Sequence, residues 1–245
     1  MSLKKSKTLK TVLKYFEFAI VLAIALVFIV KFAGPRILRQ YISYGIGDCQ
    51  NIPILCMEPE EKLTLPEEDP FYLAQLVPQE FSRMYLSCPK GFTLIQELTR
   101  RPYYKKNKHL DKGSVIYLLY QEPGAFLKLY PDVKKQGVTD NYVFIERLMR
   151  AKMNKVNNIT DAFFVIMKSI FTPDIGNQGN ARMIRFQLHN QRGFINYNLA
   201  YPDNYFDCSV IDERDNFFKI YIKDKGSRLD LNKVFMIIST ARPID

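Results

Sequence analysis

The side chains in this sequence that could do chemistry are few. Four cysteines (Cys49, Cys56, Cys88 and Cys208), two histidines (His109 and His189) and one knot of cations stand out. The cysteines show no paired Cys-x-x-Cys spacing, and only the two histidines could complete a metal shell, so zinc is disfavoured and no metal is expected. In an oxidising compartment an even number of cysteines points to disulfides, with three possible connectivities. The simplest is Cys49–Cys56, closing a short loop, with Cys88–Cys208 stapling the ends of the domain. In a reducing compartment, all four would be buried free thiols.

Catalytic patterns are missing from the sequence. A hydrolytic triad needs a histidine beside a nucleophile, yet His109 lies in a lysine-rich stretch and His189 beside Asn190, with no Gly-x-Ser-x-Gly elbow. Cys208 with His189 is arithmetically a dyad, but a disulfide cysteine and a turn histidine account for both. Neither a Walker loop nor Gly-x-Gly-x-x-Gly occurs, so no catalytic residue and no cofactor is assigned. Glu58, Glu60, Glu61, Glu67, Glu68 and Asp69 lack the glycine-centred spacing of a calcium loop and read as a solvated, self-repelling spacer. The cations Arg100, Arg101, Lys105, Lys106 and Lys108, interleaved with Tyr103 and Tyr104, form a candidate patch for an anionic partner. A solvated loop is the competing identity.

Whatever these residues do, the stretch at 15–33 decides where they do it. Its centre, 18–30, is apolar without a break, and the whole stretch as a helix would span roughly 28 Å, against a ~30 Å hydrocarbon core. Glu17 and Lys31 fall at the rims, where charged heads can reach the interface. A cleaved signal peptide would want a small-residue site after the core. The only Ala-Ile-Ala lies inside it, so an uncleaved transmembrane anchor is the better reading. Lys4, Lys5, Lys7, Lys10 and Lys14 precede it with no acid, against Lys31, Arg36 and Arg39 after it, which favours a cytoplasmic N-terminus.

The net charge of +10 invites nucleic acid as a partner, but most of it sits in residues 1–40, which hold eight basic residues and one acid. A basic membrane flank explains that distribution, and nucleic acid is disfavoured. The chain then divides into a basic arm (1–14), the anchor (15–33), a juxtamembrane collar and Pro/Glu-rich linker (34–70), and an extracytoplasmic domain (71–245). In the collar, Gly34-Pro35 should end or bend the anchor helix, and Arg36, Arg39, Tyr41 and Tyr44 suit an interface.

Within the domain, strands are expected at 92–98, 115–121, 125–130, 183–188, 193–199, 206–211 and 216–222. Met183-Ile-Arg-Phe-Gln-Leu188 and Phe217-Phe-Lys-Ile-Tyr-Ile222 alternate with period two, which points to antiparallel strands with one wet face. Glu122-Pro-Gly124, Asn190-Gln-Arg-Gly193 and Asp212-Glu-Arg-Asp215 are plausible hairpin turns. Helices are expected at 141–153 capped by Asp140, at 161–171 capped by Thr160, and at 231–240 capped by Asp230. The helix at 161–171 is apolar nearly all round and should be buried. This order gives an α+β fold, an N-terminal transmembrane helix followed by one domain with a mainly antiparallel sheet packed against helices.

Cys88-Pro-Lys-Gly-Phe-Thr-Leu-Ile95 resembles the opening of the first strand in PsbP-like domains, and Val234-Phe-Met-Ile-Ile-Ser239 is similar to their closing helix. The resemblance covers residues 84–243. It implies an antiparallel sheet covered by helices on both faces and carries over no functional residue. The expected function is therefore membrane-anchored binding or scaffolding of a partner or ligand, with a membrane-tethered enzyme as the alternative.

Overall fold

The computed structural model describes residues 19–23, 27, 31, 33–62, 69–81, 83–96, 113–172, 180–200 and 202–244. Among them no helix is long and apolar enough to cross a membrane. The 15–33 stretch lies largely outside the described residues.

The frame is three long neighbouring strands, β7 (Gln191–Ala200), β8 (Asp203–Asp212) and β9 (Phe217–Lys225). They form an antiparallel meander, flanked by antiparallel β6 (Arg182–Gln187) and β5 (Val115–Gln121). Each edge is finished by a short parallel strand, β1 (Glu60–Lys62) on β6 and β4 (Thr93–Gln96) on β5. The order is therefore β1-β6-β7-β8-β9-β5-β4, a mixed sheet with an antiparallel centre. A second antiparallel sheet joins β2 (Val77–Phe81), β3 (Met84–Cys88) and β10 (Arg242–Pro243), which the sequence reading missed. Met84, Leu86 and Cys88 of β3 do alternate inward, but β2 and β10 carry prolines and only pairing marks them as strands.

Alternation along the strands feeds two separate cores. Ile195, Phe206, Cys208, Val210, Phe218, Ile220 and Ile222 pack with β3 and with α6 (Leu231–Ser239). On the opposite face, Met183, Phe194, Ile211 and Phe217 pack beneath a helical layer. That layer comprises α1 (Gly34–Gly45), α3 (Ala125–Leu129), α4 (Asn141–Arg150) and α5 (Ile159–Phe171), while α2 (Pro70–Gln75) packs beside α6. The expected α+β class and helix-packed sheet are thus present.

Asp140 and Asp230 cap α4 and α6, accepting from Val143 N and Lys233 N. For α5 the cap is Asn158 rather than Thr160, because Asn158 Oδ1 is the acceptor in reach of Asp161 N at 2.9 Å. This helix is central to its layer yet leaves Ile159 and Ile170 exposed.

Two expectations are corrected. Residues 125–130 are the short helix α3, not a strand. Gly124 sits in left-handed backbone (φ 65°), and the amides of Leu127 and Lys128 turn back onto its carbonyl, which brings Phe126 into the core. At the expected end or bend of the anchor helix, α1 begins at Gly34 with Pro35 in its first turn, where its missing N–H costs nothing. The Cys49–Lys62 portion of the supposed spacer belongs to the fold: Ile54 and Leu55 are buried, and β1 pairs with the sheet. Its carboxylates are held by cations instead of repelling one another, Glu61 by Arg150 at 2.6 Å and Glu58 by Lys152.

Candidate functional site

One recess lies where β3 turns into β4. It is a cleft of about 500 Å³ with Leu76, Phe92 and Leu229 on its apolar side and Tyr72, Lys90 and Arg228 on its polar side. Arg228 is held in place from behind. Its Nη2 donates to Ser114 Oγ at 2.8 Å, its Nε lies 3.5 Å from the buried Asp224 carboxylate, and its guanidinium stacks 4.9 Å from the Phe92 ring centre. Asp224 is fixed in turn by the Leu229 amide at 2.6 Å. Burial, with Asp230 and Asp224 nearby, pushes the Tyr72 phenol up to about 12, so it stays a neutral donor. Its hydroxyl is buried without a hydrogen-bond partner among the described residues. A cationic fork, a neutral hydroxyl and an apolar wall suit a ligand with an anionic head and an apolar body. Among the described residues, no nucleophile paired with a base lines this cleft.

A second polar cluster is closed. On the helix-facing side of the sheet, Lys219 Nζ donates to Asp207 Oδ2 at 2.7 Å and to Ser209 Oγ at 3.1 Å. Asn196 stands opposite Asp207 in register. Burial raises the Asp207 carboxyl, and the Lys219 ammonium opposes that shift. The expected wet face of β9 is therefore not wet: Lys219 is buried with its counter-ion. This is an internal ion pair that a sequence alternation cannot distinguish from a solvated one.

A third group anchors the loop between α1 and β1. Lys168, wholly buried on α5, donates to the carbonyls of Met57 (2.9 Å), Met149 (2.7 Å) and Ala151 (3.0 Å). Burial and the nearby Lys152 charge push its ammonium down to about 7. Cys49 and Cys56 are bonded, with Cα atoms 5.6 Å apart, one residue short of the Met57 carbonyl.

The other expected staple is absent. Cys88 and Cys208 are free thiols, both buried. Cys88 ends β3 in the small sheet while Cys208 is central in β8, and apolar packing surrounds each of them in the shared core. Burial pushes the Cys88 thiol up to about 12 and also raises Cys208, so neither is activated. His189 is exposed at the β6–β7 turn, far in character from a base serving a buried thiol. The patch Arg100, Arg101, Tyr103, Tyr104, Lys105, Lys106 and Lys108 lies outside the described residues, as does His109. Among the described residues no three His, Cys, Asp or Glu side chains group as metal ligands. The sequence reading missed Tyr72, Phe92 and Arg228. The spacing of Arg228 after Asp224 was visible, but not the ring and hydroxyl brought from over a hundred residues away.

No family model, curated protein or solved structure matches this chain. None of these comparisons bears on the expected resemblance to PsbP-like domains.

Proposed function

We propose that this chain is a single-pass membrane protein, N-terminus cytoplasmic, whose extracytoplasmic domain binds or scaffolds a partner or ligand. The observation that carries the reading is the unbroken apolar run at 18–30, whose described members Ile20, Val21, Leu22 and Val27 are helical and exposed. Exposed apolar side chains in such a run are stable in lipid and costly in water. The bonded Cys49–Cys56 pair fits delivery to an oxidising compartment. Binding is favoured over catalysis because the cleft at Arg228 offers a preset cation, a neutral hydroxyl unpartnered among the described residues and an apolar wall, which suit holding a ligand.

Alkaline carbonate washing tests the anchor: the intact chain should stay with the membrane pellet. Protease added outside intact cells should degrade the C-terminal domain. Release into the wash, or a domain spared in unbroken cells, overturns the reading. For the cleft, Arg228→Gln should abolish saturable binding of phenylphosphate followed by NMR, and unchanged binding would remove that site from the proposal.

A further inference from the structure

The stretch 15–33 ends one residue before α1 begins at Gly34, so the first turns of α1 lie beside whatever surface that stretch enters. At about 1.5 Å per residue, the Arg39 backbone is no more than about 9 Å along the helix from residue 33, whatever the tilt of α1. The headgroup layer of a bilayer is itself about 5–8 Å thick on each side. Arg39 therefore stays within or at the outer edge of the headgroup layer, and it takes a second element with it. Its Nε donates to Val156 O at 2.9 Å and its Nη2 to Asn157 Oδ1 at 3.2 Å, fixing the entrance to α5.

Beside that entrance is a cleft of about 410 Å³ whose wall includes Arg147, Arg150, Lys152 and Lys155. Two of these cations are already neutralised. Arg150 pairs with Glu61 and Glu146, and Lys152 with Glu58. The carboxylate of Asp161, also in the wall, accepts from the Asn157 amide at 2.8 Å. Arg147 and Lys155 have no carboxylate in ion-pair distance among the described residues. Ile37 and Ile159, each two positions from one end of the Arg39 tie, are strongly exposed, Ile159 to 81%. Cations without an ion-pair contact among the described residues, exposed aliphatic side chains alongside, and a depth limited by the helix rise together suit a lipid surface.

The geometry points to a binding site for an anionic phospholipid headgroup in the α4–α5 cleft, with Arg147 and Lys155 contacting its phosphate. The inference rests on the anchor reading for its depth argument, but its test does not. An acidic polypeptide would also meet the cations, yet it would leave Ile37 and Ile159 uncovered.

The test uses the full chain in an uncharged maltoside detergent, carrying Ile159→Cys labelled with an environment-sensitive dye. Labelling is selective because Cys49 and Cys56 are bonded and Cys88 and Cys208 are buried. Dihexanoyl phosphatidylglycerol should give a saturable change in emission, and dihexanoyl phosphatidylcholine none. Replacing both cations (Arg147→Gln with Lys155→Gln) should weaken the phosphatidylglycerol response roughly 30-fold, taking about 1 kcal/mol per cation. If the double variant melts early, Lys155→Gln alone, at an exposed position, should weaken it about fivefold. An equal response to the choline lipid, or no loss in the variants, overturns the site. So does a glutamate-rich peptide that binds as tightly as the anionic lipid. Failure of the anchor shows separately, as chain released by carbonate, and leaves this titration readable.

Discussion

Lys219 and Asp207 show how much a single pair can demand of a sheet. Both are buried, so each charge depends on the other for the solvation it has lost. Lys219→Met should cost about 3–5 kcal/mol by leaving Asp207 unpaired, whereas Lys219→Met combined with Asp207→Leu should recover most of that loss. Urea midpoints of the two variants decide it, and equal destabilisation would remove the pair from the account. Lys168 makes a different prediction. Its folded pKa is depressed to about 7, below that of an unfolded lysine, so between pH 7 and about 10 the unfolded chain binds more protons. Stability contributed at this site should therefore rise with pH across that window, by at most about 1.4 kcal/mol per unit, and the full penalty should apply below it. Lys168→Met should flatten that slope in urea titrations repeated at several pH values. An unchanged slope would mean the ammonium is held by its three carbonyls at its ordinary pKa. Gly193 carries a steric constraint, since a Cβ there would come within 1.9 Å of the Ser209 carbonyl oxygen. Gly193→Ala should accordingly cost about 3 kcal/mol by forcing β7 away from β8.

At the level of elements, two devices hold the helical layer to the sheet. One is Asp215, itself in left-handed backbone (φ 65°), whose carboxylate accepts from Gly124 N and Asn141 N at 3.0 Å. Asn141 completes the joint by donating to the Glu122 and Asp215 carbonyls. Asp215→Ala should cost about 2–3 kcal/mol, and Asp215→Asn less, because asparagine tolerates the same backbone and keeps one acceptor. The other device is the strap from Cys49 to β1, tied at its start by the disulfide and at its end by Lys168, Arg150 and Lys152. Closing a loop this short removes about 2.5 kcal/mol of unfolded-chain entropy. Replacing Cys49 and Cys56 by serine should lower stability by about that amount and make residues 46–62 the first site of limited proteolysis. Cleavage elsewhere first would show that the strap is held by its ion pairs alone.

Across the whole molecule, one mixed sheet separates two cores, and the free cysteines report on the sheet-side core. Both thiols should resist a thiol reagent in the native chain and react on unfolding, two per chain under non-reducing conditions. A native count above zero would contradict the packing around β8 and β3. The caps of α4 and α6, the strand β5 and the strands that alternate were legible beforehand, since each is set by residues within a few positions of one another. The same local reading failed at 125–130, where a short apolar run fits strand or helix equally until Asp215 and Asn141, far away in sequence, fix the turn.

What the sequence by itself determined is the α+β class, the capping of two helices and the apolar run, with Cys49–Cys56 as the simplest of three pairings, because periodicity, caps and short loops are local. Only the tertiary structure decided that Cys88 and Cys208 stay apart, that the polar side of β9 is buried, and that Tyr72, Phe92 and Arg228 share one cleft. Those outcomes depend on which segments meet across long separations, where chain closure and packing against both faces of the sheet outweigh any local preference.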